Sequence, residues 1–194
     1  MPLTQPQTKV IKDKARFRVL ITGRRFGKTY LAINELAKFA SRSKQKVWYV
    51  APTYRQAKQI VWNELKQKLI DHKWVKNINH SDLTFTLKNN STITLRGSDN
   101  ENALRGVGID FLVIDEFADV SKEAWYEVLR PTLSDKKGHA LFCGSPRGFG
   151  NWSYELYKQG ETNKDWKSFQ YTTLEGQQVS KEEIEQAKQD LDLR

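Results

Sequence analysis

Residues 22–29 read Thr22-Gly23-Arg24-Arg25-Phe26-Gly27-Lys28-Thr29, between an apolar run at residues 17–21 and a helix-like pattern that opens near Lys28. A turn from strand into helix that closes on Gly-Lys-Thr is a phosphate-binding loop. Its backbone N–H groups cradle phosphates, its lysine reaches the β and γ phosphates, and its hydroxyl holds Mg²⁺. The usual pattern is G-x-x-x-x-G-K-[ST], and here Thr22 stands where the first glycine is expected. A loop of this kind needs a buried parallel strand behind it and a helix in front, so it limits the chain to α/β architecture.

The rest of the sequence follows that demand. Leu31, Ile33, Leu36, Ala37, Phe39 and Ala40 recur at helical spacing, predicting a helix that ends near Ser43. Residues 46–52, Lys-Val-Trp-Tyr-Val-Ala-Pro, form a short apolar, aromatic run stopped by proline, which reads as a buried strand. Ile60, Val61, Leu65 and Leu69 predict a helix over residues 55–71. Leu83, Phe85 and Leu87, then Ile93 and Leu95, alternate with polar residues on either side of Asn89-Asn90-Ser91, which predicts a hairpin. A polar, irregular loop at residues 97–108 leads into a strand at 111–114. A helix from Ser121 closed by Pro131, a strand at 139–145 and a helix at 151–159 follow. Ser180 with Glu182 and Glu183 starts a last helix over residues 180–190. Strand alternating with helix predicts a mainly parallel central sheet flanked by helices, with a β-hairpin insertion.

The chain has 194 residues, 38% of them hydrophobic, enough for one good core and therefore one expected domain over residues 1–194. Cys143 is the only cysteine, and His72, His80 and His139 lack metal-ligand spacing, so neither a disulfide nor a structural zinc site is expected. No apolar run reaches the roughly 20 residues of a membrane span, and residues 1–8 do not read as a signal peptide. The expectation is a cytosolic protein. Net charge is +9, but residues 1–100 carry 20 basic against 6 acidic residues, while residues 101–194 carry 12 against 17. That asymmetry fits a polyanion partner for the first half, and equally fits lysines that keep helix surfaces soluble.

A nucleotide site needs a carboxylate at the end of a central strand to hold Mg²⁺ beside the loop hydroxyl. Asp115 follows the strand at 111–114 in that way, and Glu116 beside it is the candidate to orient or deprotonate an attacking water. Lys28 is assigned to phosphate, and Thr29 to Mg²⁺ and to the helix cap. Of the two loop arginines, Arg24 is favoured over Arg25 to face the γ phosphate. Arg105, between Leu104 and Gly106, reads on sequence as a solvated loop arginine, with an arginine finger reaching into a neighbouring subunit as the sharper alternative. Ser145, in Gly144-Ser145-Pro146-Arg147-Gly148 after a strand, would lie near the γ phosphate. The six tryptophans are read as packing residues.

Five motifs occur in order: Gly-Arg-Arg-Phe-Gly-Lys-Thr (23–29), Ala-Pro-Thr-Tyr (51–54), Leu-Arg-Gly (104–106), Val-Ile-Asp-Glu (113–116) and Gly-Ser-Pro-Arg-Gly (144–148). Together they resemble the large terminase subunit of tailed bacteriophages, over essentially the whole chain. In that family the first glycine is commonly absent and an arginine is present in the loop, as here. The resemblance implies a P-loop NTPase of the additional-strand, catalytic-glutamate type. It implies Mg²⁺-dependent ATP hydrolysis that drives double-stranded DNA through a portal protein into the procapsid.

Residue by residue, it assigns Gly23, Arg24, Arg25, Phe26, Gly27, Lys28 and Thr29 to ATP, Thr29 and Asp115 to Mg²⁺, and Glu116 to catalysis. Arg24 becomes the loop arginine, Arg105 a finger acting in trans, Ser145 the coupling residue, and Gln7, within an adenine-side segment at residues 1–16, the adenine contact. The implied partners are DNA, the portal, the small terminase subunit and further copies of the chain in a ring on the portal. A monomer is expected in isolation. The implied place is the infected host's cytoplasm and, transiently, the portal vertex, not the mature virion. Family members usually continue into an RNase H-like nuclease domain; Asp190 and Asp192 do not suit its acidic site, so DNA cutting is not expected of this stretch. A helicase-like DNA-dependent ATPase and a nucleotide-gated module docking on portal or small subunit are the alternatives.

Overall fold

The computed structural model describes residues 2–176, together with 180, 182, 183, 185 and 186. Eight strands form one sheet: β1 (Phe17–Thr22), β2 (Lys46–Ala51), β3 (Val75–Asn79), β4 (Thr84–Leu87), β5 (Thr92–Gly97), β6 (Phe111–Asp115), β7 (His139–Gly144) and β8 (Trp166–Tyr171). Their spatial order is β3-β4-β5-β2-β6-β7-β1-β8. From β5 to β8 every neighbour runs parallel, and only the β3–β4 and β4–β5 pairings are antiparallel. The chain thus has the mainly parallel sheet that alternating strand and helix predicts. Strand β7 is inserted between the phosphate-loop strand β1 and the carboxylate strand β6. That insertion is the additional strand of the expected class.

Strands buried on both faces should be apolar without interruption, and β6 and β7 are buried along nearly their whole length. Side chains alternate between two cores. On one face Leu20, Tyr49, Phe111, Val113 and Leu141 pack against helix α2 (Lys28–Ala40). On the other, Val19, Val50, Leu112, Ile114 and Phe142 pack with Trp125 and Leu129. Phe39 of α2 stacks on Phe111 of β6 with centroids 3.8 Å apart. Each fully buried aromatic or branched side chain contributes on the order of 2 kcal/mol of transfer free energy, which fastens α2 to the sheet centre.

Several elements differ from the sequence expectation. Helix α2 ends at Ala40 rather than near Ser43. The helix expected at 55–71 starts at α3 (Tyr54–Ala57), capped by Thr53, passes through a π-helical segment, Lys58–Trp62, and finishes as α4 (Asn63–Asp71). Pro131 does not close its helix: the π-helical Ala124–Leu129 continues into α5 (Arg130–Thr132). The later helix is α6 (Trp152–Thr162), and a short α7 (Thr173–Gly176) follows β8.

Three elements go beyond the sequence expectation. Helix α1 (Gln5–Lys12) is started by Thr4 and Gln7 in a reciprocal capping box. Strands β3 and β8 are the two sheet edges, half-exposed and rich in polar residues, so they lack the apolar run that marks the inner strands. The helix expected over residues 180–190 falls mainly outside the described residues.

Candidate active site

The loops at the carboxyl ends of β1, β6 and β7 surround a cleft of about 750 Å³. In a parallel sheet that end is where ligands bind, because strand order reverses around it and leaves a crevice. Gly23, Arg24, Arg25, Phe26, Gly27, Lys28 and Thr29 all line the cleft, with Asp115, Glu116 and Ser145 opposite.

The phosphate loop is shaped by three local facts. Gly27 lies in the left-handed region at φ 89°, and so does Arg25 at φ 59°. Gly23 is required by a close approach: a Cβ there would come within 2.3 Å of the Thr173 hydroxyl. Phe26 is wholly buried and stacks on Tyr171 of β8 at 5.5 Å, so its ring anchors the loop. Arg24 and Arg25 are exposed at the cleft wall.

Lys28 spans the cleft floor. Its Nζ donates to Ser145 Oγ at 3.2 Å and lies 3.9 Å from Glu116 Oε1. The residues predicted to hold and sense the γ phosphate are therefore held together by one ammonium group. Asp115 is 4% exposed. Its Oδ1 accepts the Glu116 backbone N–H at 3.0 Å, and its Oδ2 accepts the Tyr49 hydroxyl at 2.5 Å. Burial raises the Asp115 carboxyl above the ordinary carboxylate range; the Tyr49 bond opposes this and the Glu116 charge adds to it. The same burial, with Asp115 beside it, pushes the Tyr49 phenol well above its ordinary range. Glu116 adopts the left-handed conformation at φ 44°, unusual for a residue with a side chain. That turn sends its carboxylate into the cleft beside Lys28 instead of along the strand.

The donor set near Thr29 and Asp115 consists of oxygens, with one buried carboxylate. Among the described residues no cluster of three or more His, Cys, Asp or Glu could enclose a metal. This suits Mg²⁺, which binds through one or two protein oxygens and completes its shell with phosphates and water.

Two expected residues lie elsewhere. Gln7 is 1% exposed and sits beneath the loop, its Nε2 donating to the Phe26 carbonyl at 3.1 Å and the Gly27 carbonyl at 3.4 Å. Its Oε1 accepts the Thr4 N–H at 3.0 Å, so the amide is committed to holding the loop. Arg105 is exposed and lines a separate depression with Glu127 and Asp135, away from the cleft of its own chain.

Sequence reasoning missed three cleft residues or supports. Tyr49 meets Asp115 across 66 positions, through the register that sets Val50 beside Ile114. Arg147 lines the cleft while its Nη2 pairs with Asp119 Oδ2 at 2.6 Å. Ile60 reaches the cleft from the π-helical segment. An aromatic inside the apolar run of an inner strand is a usable signal for Tyr49, and Arg147 lies in the Gly-Ser-Pro-Arg-Gly motif; Ile60 has no signal.

The family model for the N-terminal part of the T4-like-virus type of terminase large subunit matches residues 19–192. The large terminase subunit of Escherichia phage T5 is 30% identical over 192 residues, covering 94% of this chain and 43% of that protein. The chain therefore spans less than half the length of such relatives. Among solved structures, the large terminase ATPase domain of Thermus phage P74-26 superposes with a TM-score of 0.75 at 26% identity, covering 88% of this chain and 81% of that one. The large terminase of another thermophilic bacteriophage, in complex with ATP-γ-S, gives 0.79 at 18% identity over 96% of this chain and 49% of that one. With the family match over most of its length and the loop, additional strand and carboxylates in their expected order, the chain belongs to the T4-like-virus-type terminase large subunits and carries their N-terminal region.

Proposed function

We propose that this chain binds and hydrolyses ATP with Mg²⁺ and is the motor domain that drives double-stranded viral DNA into a procapsid. The observation that carries this reading is the convergence of Lys28, Asp115, Glu116 and Ser145 on one cleft at the carboxyl ends of the sheet. Relatives described as an ATPase domain and as a complex with ATP-γ-S support the nucleotide. The loop N–H groups and Lys28 bind the phosphates. Lys28 has to leave Ser145 to reach the γ phosphate, so Ser145 is freed when nucleotide enters and regained when the phosphate leaves. Glu116, beside Lys28, orients a water and accepts its proton. Thr29 and Asp115 would hold Mg²⁺, which would supply charge neutralisation for the phosphates. Arg24 faces the γ phosphate from the loop, and Gln7 fixes the loop from below.

Arg105 faces away from its own cleft, which supports a role in a neighbour's cleft within a ring on the portal, together with the small subunit and DNA in the host cytoplasm. The decisive experiment mixes Arg105→Ala with Glu116→Ala protein and follows phosphate release. Each variant alone should be at background, and intermediate ratios should recover turnover, because some interfaces then pair an intact Glu116 with an intact Arg105. Binding of ATP by both variants without rescue at any ratio would overturn the finger in trans. If the unaltered chain also binds ATP at background turnover with DNA and portal present, a nucleotide-gated docking module is the better reading.

A further inference from the structure

The opposite end of the same sheet carries a second pocket, of about 400 Å³, among Lys12, Lys14, Arg18, Lys38, Arg42 and His139, with Asp13 at its edge. We propose that this pocket is an anion site that takes a backbone phosphate of duplex DNA. The proposal rests on the DNA-translocating reading and adds where the track is gripped.

The pocket floor is Arg18, 2% exposed. Its Nη1 donates to the Val10 carbonyl at 2.7 Å and its Nη2 pairs with Glu35, but its Nε is buried and has no hydrogen-bond partner among the described residues. Arg18 and Lys38 share the one carboxylate of Glu35, which leaves a net positive charge at the pocket floor for an anion to offset. Two carboxylates stand close by, and Asp110 lies beyond them, its Oδ2 accepting from the Lys46 N–H and pairing with Lys136. Glu35 is buried between Arg18 and Lys38, the latter at 3.0 Å, and Asp13 accepts the Ala15 N–H at 2.8 Å. Among the described residues Lys12, Lys14 and Arg42 form no ion pair, and all three are exposed at the rim. The rim continues into exposed Lys44 and Lys46. A stripe longer than one anion suits a polymer. His139 reports the same field: burial, then the Arg18, Arg16 and Arg42 charges, depress its basicity, against a bond with the Ala15 backbone.

Topology gives the pocket its consequence. Arg18 is the second residue of the strand that ends in the phosphate loop, and His139 starts the strand that ends before Ser145. Lys38 lies at the far end of the helix that Lys28 opens, and Lys12 closes the helix whose Gln7 holds the loop. The four elements that grip nucleotide at one end would grip the track at the other.

The test is anisotropy of a labelled DNA duplex between 50 and 200 mM salt, comparing the unaltered chain with Lys14→Ala/Arg42→Ala and with Lys122→Ala/Lys158→Ala, a distal pair at α6 on the other side of the sheet. Losing two phosphate contacts should lower the slope of log affinity against log salt by about 1.8, with the distal pair leaving it unchanged. Binding of a fluorescent ATP analogue should be intact in all three, which also reports folding. Inorganic phosphate, titrated against bound duplex, separates the two sources of the anion. Competition that Lys14→Ala/Arg42→Ala removes supports the site. Equal slopes for all proteins, equal losses from both pairs, or phosphate saturating the pocket without displacing DNA would each overturn it, while the motor reading stands. No duplex binding by the unaltered chain at 50 mM salt would overturn the motor reading as well.

Discussion

The two ends of the sheet use the same strands and helices, yet one is built for reaction and the other only for charge. At the carboxyl end, cations and carboxylates are interleaved: Lys28 touches Ser145 and lies 3.9 Å from Glu116, and Asp115 is buried behind them. In the amino-end pocket Glu35, the buried carboxylate there among the described residues, is closed between Arg18 and Lys38, so the charged groups left lining it are basic apart from Asp13. Holding a phosphate needs donors; breaking a phosphoanhydride also needs a carboxylate beside the water. The difference between the ends lies in where the acids stand.

That contrast can be broken most severely at Glu116. Glu116→Gln removes the proton acceptor and keeps the shape; turnover should fall about 10³-fold while ATP affinity in a filter-binding assay stays within a factor of a few. Affinity lost in parallel with turnover would make Glu116 a binding residue and erase the distinction. Arg18→Met attacks the other end. Leaving Glu35 buried with only Lys38 should cost about 3 kcal/mol, read as a lower urea midpoint; an unchanged midpoint would mean that the buried pair is not holding the amino end together.

Tyr49→Phe sharpens the comparison at the reactive end by removing one of Asp115's two donors. A loss of about 1.5–3 kcal/mol in urea is expected, below the effect of Arg18→Met or equal to it. No loss would show that solvent replaces the phenol. The smallest effect should come from His139→Asn. Because His139 titrates below its ordinary 6.5, the neutral form belongs to the folded state. Its stabilisation is full above the unfolded value and is lost as pH falls through and below 6.5. The variant should therefore flatten the acid limb of a stability–pH curve, and an unchanged limb would remove His139 from the basic field.

How far the sequence speaks differs between these ends in the same way. The phosphate loop and the Asp115-Glu116 pair are contiguous in the chain, each next to an apolar strand, so their chemistry can be read directly. Inner strands β1, β2, β6 and β7 are legible because burial on both faces demands nearly continuous apolar runs, with buried Arg18 in β1 the exception. Edge strands β3 and β8 are not, since one side of each faces solvent and Val75-Lys76-Asn77-Ile78-Asn79 carries no such run. Helix α1 is announced only by Thr4 and Gln7 in capping-box spacing. Gln7 stands out in the sequence, but its partners are the carbonyls of Phe26 and Gly27, which only the folded chain brings to it. The basic pocket draws on α1, β1, α2 and β7, and no local pattern announces a site assembled from four segments.

The π-helical turn at Lys58–Trp62 sets which side chain the helix turns toward the nucleotide cleft. A π turn holds one residue more than the α ladder around it requires. Each residue added or removed turns everything beyond it by about 100°. Ile60 reaches the nucleotide cleft from within that turn. Deleting one residue within the turn should therefore restore the α ladder and bring a different side chain to this wall of the cleft.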